Sequence, residues 1–340
     1  MQLSNKTTRS LHLGGIPILL FLLSTLQHST LQAEIPSLST SWTDLSNSQS
    51  IGSFYGVAIG PDSMVAVGID GQIATRDHQS ANWSITRSGG DPDIRDVIYA
   101  NGKFVAVGES GLIFTSTGGT TWTSQNSGGT HDLRNIIWDG SGFIIGASDG
   151  KILKSSNGTN WTTHSTGSSI VFNAIAFNGN KYIAVGGYAI LHSTDAVNWS
   201  APSSPPPVFS VECASWTGDK FLVGGLSEKI YQSSDGDTWT QAYSHSSGFA
   251  ESIISQNGKT FVVGGSNFIY EYDSQTGNFI DDNTPLDGGN ALMDATISGN
   301  SLVVVGFNHT VVGKRLILPN TTPTDLNSTA PRTFAENLPI

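Results

Sequence analysis

The chain has 340 residues, a formal net charge of −11, 13% charged residues, 39 glycines and a single cysteine. The negative balance argues against nucleic acid or an anionic membrane as partner, and the lone Cys213 excludes an internal disulfide. So much glycine with so few charges points to short strands and turns rather than helices.

In chain order, the N-terminus reads as an export signal. Lys6, Arg9 and His12 precede the apolar run GIPILLFLLSTL (Gly15–Leu26), and LQA then leads to Glu34, which sets the expected cleavage after Ala33. Residues 1–33 are the expected signal peptide and 34–39 a short lead-in. The apolar run is short for a membrane span and no other stretch is longer, so an exported protein without membrane insertion, periplasmic or extracellular, is expected. Cleavage removes two basic residues and no acid, which makes the rest more negative still.

A repeat follows. Trp42, Trp83, Trp122, Trp161, Trp199 and Trp239, with Phe279 in the next place, are spaced by 41, 39, 39, 38, 40 and 40 residues. Strand-built periods of this length mark propeller blades. Within VIYANGKFVAVGESGLIFTSTGGTTWT (Val97–Thr123), an apolar segment meets Asn-Gly, KFVAVG alternates, Ser-Gly turns the chain, and a Gly-Gly turn precedes the tryptophan strand. Inner units begin near Tyr55, Arg95, Arg134, Asn173, Glu212, Glu251 and Met293, which makes seven, and the last has no outer strand after it. The expected fold is therefore all-β, a single seven-bladed β-propeller of four-stranded blades over residues 40–317. The strand around Trp42 completes the last blade, so that no long edge stays open. Residues 318–340 form a Pro/Thr/Asn-rich tail with few large apolar side chains.

The turn before each tryptophan resembles the Asp-box (bacterial neuraminidase) repeat, roughly Ser-x-Asp-Gly-x-Thr-Trp. Ser233, Asp235, Gly236, Thr238 and Trp239 match it, as do Ser155, Gly158 and Trp161 with Asn157 in the Asp place, and Ser193, Asp195 and Trp199 without the glycine. The whole module looks most like the photosystem II assembly-factor-like and sialidase-superfamily exported propeller proteins. The resemblance implies the propeller fold, a structural role for these turns on the face away from the ligand, and tryptophans packed between blades. It implies no single activity, because sialidases, lyases, assembly factors and binding proteins share the motif. The chain has no Arg-Ile-Pro and seven arginines in all, so neither the sialidase arginine clamp nor an arginine-rich assembly face is implied.

The candidate ligand residues enter the innermost strands: Tyr55, Arg95, Arg134, Asn173, Glu212 and Glu251, joined by Tyr188 on a rim turn. Other rim turns carry Asp70, Glu109, Asp149, Glu228 and His309. Two arginines on adjacent blades face two glutamates across the ring. On one reading, Arg95 and Arg134 grip a carboxylate or carbonyl while Glu212 and Glu251 accept hydroxyls or an amine. On the other, these side chains hold the loops that carry them. Glu212 and Glu251 are also the only candidates for an acid/base pair. The runs Asp91–Asp96 and Asp281–Asp287 lack calcium-loop spacing and the histidines lack zinc spacing, so no metal or cofactor is expected. Cys213 reads as an inert core thiol. The expected function is an exported, non-catalytic, monomeric propeller binding a protein or glycan at one face. The alternative is a glycan-active enzyme, sialidase-like or a polysaccharide lyase, at the same channel mouth.

Overall fold

The computed structural model describes residues 40–47, 50–207, 210–226, 229–244, 248–282 and 291–316. The expected signal peptide, lead-in and tail, and Glu228, lie outside the described residues. The rest is a seven-bladed propeller. Blade 1 runs Phe54–Ile59, Ser63–Gly68, Ile73–Asp77 and Ser84–Arg87, each strand antiparallel to the one before. Blades 2, 3, 5 and 6 repeat this plan from inner strands Ile94–Ala100, Leu133–Trp138, Val211–Trp216 and Ala250–Gln256. Blade 7 (inner strand Leu292–Ser298) takes its outer strand from the other end of the chain: Thr43 pairs with Gly313 and Asp44 with Val312. The ring closes where the sequence spacing placed the closure.

Blade 4 differs. Its sheet has three strands from Ala174 to Ser193, and the fourth is reduced to one bridge, His192 with Ser200. Continuing that register would oppose Ile190 to Pro202, which has no N–H to give, so the ladder stops. The proline-rich chain turns away instead, and the Ser203 and Ser204 amides bond Asp237 of blade 5.

The core is seven separate apolar clusters, each at the seam between two neighbouring blades. The period-40 aromatics are distributed one per seam: Trp83 between blades 7 and 1, Trp122 between 1 and 2, Trp161 between 2 and 3, and Trp199 between 3 and 4. Trp239, Phe279 and Trp42 serve the remaining three. The turns before them share one geometry. The Ser233 hydroxyl accepts the Gly236 amide at 2.8 Å, and the Asp235 carboxylate accepts the amides of Asp237 and Thr238, both at 2.8 Å. These bonds, the Thr238 amide first, hold the Asp235 carboxyl down at about 2. Asp195 and Asn157 do the same in blades 4 and 3. Gly236 has φ +72°, and a Cβ there would lie 2.6 Å from Ile183 of the preceding blade, so this turn also locks one blade to the last. By strand direction, these turns sit on the face opposite the starts of the inner strands.

Because Asn157 performs the same task as Asp235, Asp235→Asn should leave the urea midpoint nearly unchanged. Asp235→Ala, which strands two turn amides and a hydroxyl, should cost about 1–2 kcal/mol. A loss for Asn as large as for Ala would show that the charge, not the turn bonds, matters.

Candidate functional site at the channel mouth

The seven inner strands enclose a channel of about 900 Å³. Tyr55, Arg95, Arg134, Asn173, Glu212 and Glu251 all line it, so the structure brings these six expected ligand residues into one ring, with Met293 as the seventh member. The seventh expected ligand residue, Tyr188, does not line the channel; it stands on the rim turn of blade 4, 78% exposed.

The ring owes its position to a backbone irregularity. In six blades the first strand pair skips one residue, and the skipped residues are Tyr55, Arg95, Arg134, Glu212, Glu251 and Met293. A bulge leaves its residue out of the ladder and re-aims its side chain. Here the bulge recurs in six of the seven blades and delivers one side chain from each of them to the mouth; in blade 4, Asn173 stands just ahead of a regular inner strand.

What these side chains do differs on the two sides. The Arg95 guanidinium stacks on the Tyr55 ring at 4.2 Å, pairs with Glu109 from its own rim turn and lies 3.2 Å from Asp93. Arg134 lies 3.8 Å from Asp132, and its Nε is buried without a partner. The mouth's two cations are thus already faced by three carboxylates. Opposite, Asn173 donates to Glu212 Oε2 at 2.7 Å and Ser210 donates to Oε1 at 2.6 Å. Glu251, next along, has no hydrogen-bond or ion-pair partner among the described residues. Burial first, and the Glu212 charge second, push its carboxyl up to about 7. Cys213 is 3% exposed, and burial with the two nearby glutamates raises its thiol well above the ordinary value, so it stays protonated and inert.

A second tier lies one residue deeper and was not picked out from the sequence. Asp96 accepts the Ile136 amide of the next blade at 2.8 Å and the Asn135 side chain at 2.8 Å. Asn135 in turn accepts the Ile175 amide at 2.9 Å. Asp294 accepts the Val57 amide at 3.0 Å across the closure from blade 7 to blade 1, and the Ser252 hydroxyl at 2.9 Å. These side chains bond blade to blade around the channel wall. Blade 1 has Gly56 in this position, because a Cβ there would sit 3.0 Å from the Asp96 Cα. The signal was present as the polar second letter in RD, RN and MD at 95–96, 134–135 and 293–294. Burial raises both Asp96 and Asp294 well above the usual carboxylate range, and Asp294 is raised further by the Asp96 charge.

Among the described residues, no three His, Cys, Asp or Glu side chains converge as a metal site, and no helix is long and apolar enough to cross a membrane.

No family model matches the chain, and no curated protein matches it. Solved structures do. YCF48 bound to D1 peptide aligns over 83% of this chain and 100% of its own at 14% identity and a TM-score of 0.65. YCF48 from Cyanidioschyzon merolae aligns over 81% and 99% at 14% identity and 0.63. Virginiamycin B lyase from Staphylococcus aureus aligns over 82% and 99% at 11% identity and 0.69. At these identities the likeness establishes the shared fold: the chain is a seven-bladed β-propeller built like a peptide-bound protein and an enzyme alike.

Proposed function

We propose that the chain is an exported, non-catalytic propeller that recognises a protein or glycan partner on the face carrying the channel mouth. The observation that carries this reading is the engagement of the ring. Arg95, Asn173 and Glu212 are bound to their own loops and neighbours, which makes a preformed polar surface rather than a set of groups poised on a reacting atom. That a protein of this fold has been solved with a peptide bound supports a protein partner.

The test is a glycan array together with a pull-down from the exported fraction, using the protein from residue 34 onward and the double variant Tyr188→Ser/Leu226→Ser, which alters two exposed apolar side chains on the rim turns of blades 4 and 5. Binding that the double variant loses, with its melting temperature kept, is expected. Binding that ignores these residues would move the site off this face.

One observation favours the glycan-active alternative: a carboxyl raised to about 7 at Glu251 beside a second carboxylate, which is the pairing a glycosidase uses. Against it, both Glu212 oxygens are already hydrogen-bonded. Cleavage of any member of a sialoside and acidic-polysaccharide panel, abolished by Glu251→Gln, would overturn the non-catalytic reading.

A further inference from the structure

The described residues include six large apolar side chains that are exposed, and three of them gather beside one part of the ring: Val171, Tyr188 and Leu226, 38%, 78% and 55% exposed. The backbone brings them together. The Val171 carbonyl packs against Gly186, at the start of the turn that carries Tyr188. Gly187, before Tyr188, accepts the Val211 amide at 2.7 Å, and the Leu226 amide donates to Ser210 at 3.0 Å. Val211 and Ser210 immediately precede Glu212, whose carboxylate is held by Ser210 and by Asn173, two residues beyond Val171. The apolar patch therefore borders the acidic side of the channel mouth.

Charge decides what fits there. Arg95 and Arg134 are faced by Glu109, Asp93 and Asp132, so an incoming anion meets cations that are already matched. The unmatched group is Glu251, with Glu212 beside it and no counter-cation for either among the described residues. A partner that buries this region must bring positive charge to the two glutamates and apolar surface to the patch.

We propose that this face docks a peptide segment in which a lysine or arginine is flanked by apolar side chains, the cation entering the channel against Glu251 and Glu212 and its neighbours covering Tyr188, Leu226 and Val171. The proposal rests on the reading that the mouth face is a recognition surface, and it names that surface's partner. It reverses the simpler reading of the ring, in which the arginines grip a carboxylate.

A phage-displayed library of random peptides, panned on the protein from residue 34 onward, tests it. Lysine or arginine next to leucine, phenylalanine or tyrosine should be enriched among the bound peptides. The best binder should weaken about tenfold on Glu251→Gln and equally when its cation is replaced by norleucine, the loss of one charge-assisted contact. Leu226→Ser should weaken it by a similar factor, and rising salt should weaken it throughout. Enrichment of aspartate or glutamate overturns the proposal, as does a lysine peptide whose binding ignores Glu251→Gln. No peptide enrichment alongside glycan binding that needs Tyr188 and Leu226 overturns the peptide proposal and leaves the recognition face standing. If neither peptide nor glycan nor protein binds, both readings fall together.

Discussion

A protein that begins at residue 48 should lose about 10 °C or more in melting temperature, or fail to stay soluble, and a peptide of residues 40–47 added in trans should restore much of the loss. The segment is short, but each part of it closes something. Thr43 and Asp44 complete the blade 7 ladder, and the Leu45 amide extends it to the Val311 carbonyl at 2.8 Å. Leu45 is 3% exposed in the seam between blades 7 and 1. Its carbonyl accepts the Trp83 indole at 2.9 Å and the buried Arg76 guanidinium at 3.4 Å. Trp42 fills the seam between blades 6 and 7, donates to the Asp282 carbonyl at 3.1 Å and lies under the Lys314 ammonium. Loss of the leucine alone is worth about 2 kcal/mol, and a buried guanidinium left short of acceptors about 3 more. For a domain of this size that sum corresponds to roughly 10 °C. The opened edge of Val311–Arg315 is also a template for wrong pairing. If the shortened protein melts within a degree or two of the full one, the closure is decorative and the ring is held by its other five seams.

The closure was legible because it needs only counting. Seven aromatic anchors and seven inner units are out of phase by one strand, and a ring is the arrangement that resolves the mismatch. The ring at the mouth was legible for a related reason: the repeat puts one residue per blade at the start of the inner strand, so Tyr55 through Glu251 can be read off by aligning the repeats, although the bulge that re-aims six of the ring positions is a matter of backbone register. What those residues touch was not legible. The partners of Arg95, Asp93 and Glu109, come from a loop and a turn whose side chains vary from blade to blade. The ties made by Asp96, Asn135 and Asp294 reach into the next blade, and no local pattern records a bond between residues about forty positions apart, or 237 for Asp294 and Val57. The halted ladder of blade 4 depends on Pro202 falling opposite Ile190, a matter of register, which emerges only once His192 is seen to pair with Ser200.

Asp294→Asn should stabilise the protein at pH 8.5 and flatten the fall in stability that the wild type shows between pH 5 and pH 8.5. Asp294 is held in the channel wall facing Asp96, with the Val57 amide, the Ser252 hydroxyl and the Ala295 amide as donors and no cation beside it among the described residues. Burial first and the Asp96 charge second push its carboxyl from an ordinary 3.8 up to about 8. The folded protein therefore keeps a proton that the unfolded chain has already released. Stability from this group is fully present below pH 4 and is lost as pH rises toward 8. Asp96, raised to about 6, and Glu251, raised to about 7, act in the same direction, so the variant should reduce the slope without abolishing it. The strongly lowered carboxyls of the far-face turns, such as Asp235, change stability only below pH 4 and stay outside this window. Asparagine is the fitting replacement because Asn135 already fills the equivalent position in blade 3, accepting the next blade's amide and donating to Asp96. The gain at pH 8.5 should be about 2 kcal/mol, a fraction of what such a displacement converts to at roughly 1.4 kcal/mol per pH unit, because the channel side of the wall can relax. Asp294→Ala should instead lose about 1–3 kcal/mol at pH 5, where the wild-type carboxyl is neutral and still accepts the Val57 amide and the Ser252 hydroxyl, both of which the alanine leaves without their acceptor. Denaturant midpoints of the three proteins at the two pH values separate these effects. If Asn and Ala both destabilise at pH 8.5 by the same amount and the wild type keeps its stability from pH 5 to pH 8.5, Asp294 has already lost its proton well below pH 8, and the channel wall carries a fixed negative charge instead of a retained proton.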